Sequence, residues 1–200
     1  MGRKPGSAFR VAVLAGGDSA ERAVSLASGS CVAKWLRQAG HQVELVDPSR
    51  CDLDSIRWER FDGCFLALHG GSGEDGRVQS RLERLGVGYT GSGPEASQLA
   101  MSKSAAKAVF LEAGIPTPDY VLLDPRQAAE RMIGRVQHLG FPLVVKPDGQ
   151  GSSLGVEVVR SAEELSGRVA QSARFGPLVL AERLIEGREF TVSVFRGEPL

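Results

Sequence analysis

The stretch Phe141–Gly155, FPLVVKPDGQGSSLG, constrains this chain more than any other. Leu143, Val144 and Val145 form a short apolar run rich in β-branched residues. Bounded by Pro142 and Pro147, the run predicts a buried strand. Lys146 stands at its exit. A loop of glycines and serines follows, and Val156–Val159 predicts a return strand. Glycines let a backbone approach a ligand closely and turn its N–H groups toward it. Serine hydroxyls add donors and the lysine adds a point charge, so the set suits a nucleotide's phosphates. Taken alone, the same residues also fit an ordinary hairpin with a flexible tip.

The rest of the composition narrows the class. A length of 200 residues allows one or two domains, and 42% hydrophobic with 24% charged residues fits a soluble fold with a real core. Lysine plus arginine equals aspartate plus glutamate at 24 each, so no global field draws the chain to nucleic acid or to an anionic membrane. No apolar run approaches the ~20 residues that span a bilayer. The first residues, MGRKPGSAF, are basic but lack an apolar segment, which argues against a signal peptide. Gly6 stands where myristoylation wants Ser or Thr. Cys31, Cys51 and Cys64 are odd in number and have no CxxC spacing, so neither a disulfide framework nor a zinc site is expected. Cys64 lies in an apolar run and reads as a small core residue. A cytoplasmic location follows as the expectation.

In chain order, Arg10–Ala15 predicts a first strand, broken by Gly16-Gly17. Asp18 with Glu21 has the form of a capping box, and apolar Val24, Ala27, Val32, Leu36 and Ala39 follow a helical period up to Gly40. Gln42–Val46 and Gly63–Leu68 predict further strands, the latter running into His69–Gly76. Arg77–Leu85 reads as a helix. Strands alternating with helices predict a parallel α/β layer, in which ligands sit at the carboxyl ends of the strands. Tyr89–Pro94 is turn-rich and closes this region. Glu95–Ala113 is helical with a break near Ser102. Tyr120–Leu123 predicts a strand and Ala128–Leu139 a helix. Ser161 with Glu164 forms a second capping box before a helix to about Ala173, and Leu178–Glu182 and Glu189–Phe195 predict strands. Gly197-Glu198 resembles a hairpin tip, and the chain is expected to stop inside a domain. The predicted organisation is an N-terminal α/β domain over 1–94 and a second region over 95–200.

Several residues carry chemistry that their positions make useful. Glu21 suits either a cap or a carboxylate that grips a substrate ammonium. His69 leaves a strand into a glycine loop with Glu74 and Asp75 close behind, which fits either a site or a solvated side chain. Lys103 opens a helix after Ser102 and reads as an ordinary surface lysine on its own. Lys146 calls for an anion or an acid nearby. Glu182 and Glu189 bracket a connection between strands, where carboxylates can accept hydrogen bonds from an adenine amino group or ribose hydroxyls. His41 and His138 read as surface.

These pieces, in this order, resemble one family. GGDSAERAVS at Gly16–Ser25, ALHGGSGEDG at Ala67–Gly76, YTGSG at Tyr89–Gly93, MSK at Met101–Lys103, VVKPDGQGSSLG at Val144–Gly155 and EGREFTVSV at Glu186–Val194 look like the D-alanine–D-alanine ligases of the ATP-grasp superfamily. The resemblance implies an α/β fold: a parallel pre-ATP-grasp domain followed by the first, incomplete part of an ATP-grasp domain. It implies ATP-dependent joining of two D-alanines through an acyl phosphate, for peptidoglycan precursors, in a cytoplasmic homodimer. It matches Glu21 to the acid that holds the first D-alanine and His69 to the histidine near the substrate carboxylates. Lys103 and Lys146 match the lysines on the ATP phosphates. Gln150, Gly151, Ser152, Ser153 and Leu154 match the phosphate loop, with Ser152 linked to the glutamate. Glu182 matches the adenine acid, Ile185 a hinge residue at adenine, and Glu189 the ribose acid. Mg²⁺, with Mn²⁺ as a substitute, is implied as well, its ligands lying beyond the residues present, so no metal ligand is assigned. Two other readings stand beside this one. The first is a binding fragment without catalysis. The second is an ATP-grasp ligase for another carboxylate and amine.

Overall fold

The computed structural model describes residues 7–195 and 198–199. They divide into two compact units. The first comprises the described residues up to Ile115 together with Asp148–Leu154. The second comprises Pro116–Pro147 and the described residues from Gly155 onward.

The first unit is built on a parallel sheet of β1 (Arg10–Leu14), β2 (Gln42–Val46) and β3 (Gly63–Leu66), in the order β2-β1-β3. The central strand is buried on both faces, which is why it reads as an unbroken apolar run. Val13 and Ala15 pack with Ala67 on one side, where Val32 and Leu36 of helix α1 (Arg22–Gln38) join them. Ala12 and Leu14 pack on the other side with Val78 and Leu82 of α2 (Arg77–Arg84). Cys64 belongs to that second cluster, and burial pushes its thiol up to about 12. Helices α3 (Pro94–Met101) and α4 (Lys103–Glu112) follow, parted at Ser102.

The buried face of α1 is only partly the one its large apolar residues predict: Val32 and Leu36 join it, but its centre is made of small residues. Ser25, Gly29 and Ala33 are buried, whereas Val24 is 54% exposed. The reason is close approach: a Cβ added at Gly29 would lie 2.3 Å from that of Ala15. Small side chains bring this helix onto the sheet, and a period count weighted by large side chains misses them.

The second unit holds an antiparallel sheet in the order β4-β7-β5-β6, from β4 (Tyr120–Leu123), β5 (Leu143–Pro147), β6 (Glu157–Val159) and β7 (Val179–Arg183). Leu143, Val145, Val159, Val179 and Ala181 point to one face. They pack there against Met132 and Val136 of α5 (Ala129–Val136) and Leu165 and Val169 of α6 (Ala162–Ser172). Strand periodicity then turns Val144, Lys146, Leu180 and Glu182 to the opposite face.

Several local expectations are corrected. Glu21 is the N-cap residue of α1, and its side chain makes no capping bond; the carboxylate is engaged elsewhere. At α6, Ser161 is the N-cap, but Glu164 accepts from the Arg160 N–H at 3.1 Å rather than closing a box. Glu189–Phe195 forms a strand only at β8 (Val194–Phe195), which pairs with β9 (Glu198–Pro199). Its alternating Phe190, Val192 and Val194 are 76%, 65% and 65% exposed, so among the described residues the apolar side has nothing to pack upon. The sequence predicts a hairpin tip at Gly197-Glu198 that lacks its partner strand, but Glu198 lies in β9 and pairs with Phe195; Gly197 and Gly6 lie outside the described residues.

Candidate functional site

Parallel strands deliver their carboxyl ends to one edge, and the first turn of α1 ties those ends together. Ser25 Oγ accepts from the Gly16 N–H at 2.8 Å and donates to the Ala67 carbonyl at 2.8 Å, joining the exits of β1 and β3. Arg22 donates to the Gly17 carbonyl at 2.6 Å and to Asp47 Oδ2 at 2.6 Å, and the Gly17 N–H donates to Asp47 Oδ1 at 3.0 Å. This adds the exit of β2. The Arg22 guanidinium holds the Asp47 carboxyl well below the usual carboxylate range.

Within that frame Glu21 faces the glycine loops. Its N–H donates to Ser19 Oγ at 3.1 Å, and Ser19 Oγ donates to the His69 carbonyl at 2.5 Å. Glu21 Oε1 accepts a hydrogen bond from Ser152 Oγ at 2.5 Å, across 131 residues of sequence. Glu21 Oε2 lies 2.6 Å from where a Cβ on Gly70 would stand, and Gly70 has φ 65°. Only glycine suits that position on both counts. His69 Nε2 sits 3.0 Å from Ser28 Oγ, and its Nδ1 is 3.9 Å from Glu74 Oε1. A carboxylate and an imidazole thus meet a serine loop at the edge of the sheet.

The loop Asp148–Leu154 is held at its start as well. Asp148 Oδ1 accepts from the Ser104 N–H at 2.7 Å and Oδ2 accepts from Ser102 Oγ at 2.8 Å. The Lys103 ammonium donates to the Gln150 carbonyl. Ser152 and Ser153 have φ 51° and 57°, a left-handed conformation that costs a non-glycine residue about 1–3 kcal/mol. Gly151, Ser153 and Leu154 complete the turn, the Leu154 N–H donating to the Gly151 carbonyl at 3.2 Å.

In the second unit the register of β5 and β7 sets Val144 against Glu182 and Lys146 against Leu180. Lys146 Nζ donates to Glu182 Oε1 on this face. The glutamate is 8% exposed, so the pair is shielded by apolar neighbours such as Leu180, which is fully buried. A polar pair on an apolar strand face can take a flat heterocycle and an anion side by side. Ile185 and Glu189 lie in the exposed, irregular segment after β7.

A family model described as D-ala D-ala ligase C-terminus matches residues 109–200. The D-alanine–D-alanine ligase of Methylibium petroleiphilum is 49% identical over 191 residues, covering 95% of this chain and 60% of that one. Over nearly its whole length the chain is similar to D-alanine–D-alanine ligases. The Laribacter hongkongensis D-alanine–D-alanine ligase is 44% identical over 192 residues, covering 96% and 61%. A crystal structure of the D-alanine–D-alanine ligase from Bacillus anthracis complexed with ATP has 34% identity and a TM-score of 0.86, covering 96% of this chain and 64% of that one. The chain therefore spans about 60% of the length of the curated ligases it matches.

Sequence reasoning about this chain missed several members of the site. Ser19 and Ser28 tie Glu21 and His69 to their loops and Ser25 joins the exits of β1 and β3, yet short hydroxyl residues at a helix start are easily taken for caps. Asp47 follows a predicted strand and passes for an ordinary turn residue. Asp148 sits inside the loop motif and gives no sign that it reaches a helix 44 residues back. The spacing of serines along the first turns of α1 was the available signal, since it puts hydroxyls on the sheet-facing side.

Proposed function

We propose that the chain provides the first-substrate acid and the nucleotide-handling groups of an ATP-dependent D-alanine–D-alanine ligase. The observation that carries this reading is the hydrogen bond from Ser152 Oγ to Glu21 Oε1, which links a phosphate-type loop to an acid at the strand ends. Glu21 holds the ammonium of the first D-alanine, with Ser152 fixing the carboxylate's direction and His69 lying by the substrate carboxylate. Lys103 and the loop Gln150, Gly151, Ser152, Ser153 and Leu154 receive the phosphates. Lys146 neutralises phosphate charge beside the adenine, Glu182 accepts from the adenine amino group, Ile185 meets adenine through its backbone and Glu189 binds the ribose.

The chemistry follows from the weakness of a carboxylate as an electrophile. The first D-alanine carboxylate attacks the γ-phosphorus and ADP departs, giving an acyl phosphate. The amine of the second D-alanine attacks the acyl carbon, loses a proton and expels phosphate. Lysines and loop N–H groups stabilise the charge on the transferring phosphoryl group. The closed loop keeps water from the acyl phosphate. Among the described residues no group of three or more His, Cys, Asp or Glu side chains is placed to hold a metal ion. The same reading takes 1–94 as the substrate domain and 95–200 as the ATP-grasp region, of a cytoplasmic homodimer serving peptidoglycan synthesis. No described helix is long and apolar enough to cross a membrane.

The test is phosphate release from ATP, with D-alanine and with L-alanine, joined to binding of each ligand. D-alanine-dependent release supports the ligase. ATP binding without release favours a nucleotide-binding role for this chain. Release with another amino acid instead of D-alanine favours a different ATP-grasp ligase.

A further inference from the structure

Asp148 comes directly after β5, and its carboxylate serves a helix far away in sequence. Helix α4 has ten residues, and its own N-cap, Ser102, accepts from the Ala105 N–H at a long 3.3 Å. Asp148 adds a second cap, accepting from the Ser104 N–H at 2.7 Å and from Ser102 Oγ at 2.8 Å. Its carbonyl accepts from the Lys103 N–H at 3.0 Å. A carboxylate there satisfies a free helix N–H and lies at the positive end of the helix dipole. The same first turn carries Lys103, whose ammonium donates to the Gln150 carbonyl and stands 3.4 Å from the Asp148 carbonyl. One aspartate therefore sets both where the loop begins and where the lysine reaches.

The freedom of the loop begins after this point. A Cβ added at Gly149 would meet nothing within 4 Å, so no side-chain packing holds the chain at that residue. Ser152 and Ser153 hold left-handed conformations, and Ser152 is tied to Glu21. Movement is thus expected downstream of Gly149 and not at Asp148.

We propose that Asp148 is a positioning residue for phosphate binding. By capping α4 it keeps the start of the loop and the Lys103 ammonium in one frame. An incoming phosphate then draws Lys103 from the Gln150 carbonyl and meets the loop N–H groups already beside it. This rests on the reading that the loop takes a triphosphate.

The experiment titrates ATP, ADP and adenosine against this chain and its Asp148→Ala and Asp148→Asn variants, with amide hydrogen exchange on each. Asp148→Ala is expected to weaken ATP and ADP about tenfold while adenosine changes by less than about twofold, because only the phosphate frame is disturbed. Asp148→Asn falls between, since its amide oxygen still accepts from Ser104 but the charge is gone. Exchange should quicken at residues 103–105 and 149–154 and stay unchanged in β1–β3. An unchanged ratio of ATP to adenosine affinity, or unchanged exchange at Ser104, overturns the role of Asp148 alone. A parent chain that binds ATP no better than adenosine overturns the triphosphate reading and this role with it. If Asp148→Ala loses protection in β1–β3, it has unfolded, and the Asn variant decides by the same criteria.

Discussion

The two sheets carry their polar residues in different ways. In the parallel sheet the central strand is spent on core contacts, and Glu21, His69 and Asp47 sit past the strand ends, held by cross-links among loops. In the antiparallel sheet the polar pair Lys146 and Glu182 stands on the strands themselves, held by register. Loops reached by tertiary contacts can be loosened one bond at a time. A strand face moves only with its sheet.

The largest effect should come from breaking the strand-borne pair. Lys146→Ala leaves a nearly buried Glu182 without its lysine and should cost about 3 kcal/mol in unfolding free energy, read from urea melts. ATP affinity should fall at the same time, by about a hundredfold or more in calorimetry. The double variant Lys146→Met with Glu182→Gln sharpens the point: much of the stability should return while ATP affinity does not. Recovery of both would mean that the pair is only structural.

Next comes the loop-borne acid. On the proposed reading, Glu21→Gln should weaken D-alanine binding by about tenfold or more and ATP binding far less, because the lost charge would face an ammonium and not a phosphate. Equal losses for the two ligands would make Glu21 a mere brace for Ser152. Acid should test the loops in another way. The Asp47 carboxyl is held below the usual range by Arg22, so its stabilising contribution is complete above the ordinary carboxylate value near ~4. That contribution fades as pH falls from there toward the lower folded value. Asp47→Asn should remove about 1–3 kcal/mol at pH 7 and flatten this acid slope in pH-dependent melts. An unaltered slope would show that Asp47 does not hold the strand exits together. The smallest effect is expected at Gly70. Gly70→Ala adds a Cβ where Glu21 Oε2 lies and asks alanine for φ 65°, at a cost of about 1 kcal/mol, with D-alanine affinity falling before ATP affinity.

Much of the architecture was legible because it is local. The apolar runs at Val11–Leu14 and Leu143–Val145 are strands, and the break at Ser102 parts α3 from α4. The packing face of α1 was legible only at Val32 and Leu36, because Ser25, Gly29 and Ala33 matter through their small size and through what Ala15 places opposite them. Glu21 could be singled out, but whether it caps a helix or faces a ligand depends on a serine 131 positions later. Glu189–Phe195 misled for the opposite reason: its alternation is genuine, and only a neighbouring surface turns alternation into a strand.

Taken by itself, the sequence determined the order of strands and helices and the residue types offered at each strand exit, because period, propensity and turn chemistry act over a few neighbours. Tertiary structure alone decided other partners: Asp148 for the start of α4, Glu182 for Lys146, Ser25 for the exits of β1 and β3. Hydrogen bonds and ion pairs depend on position to a fraction of an ångström. Between residues distant along the chain, that position exists only once the sheets, loops and helices have packed.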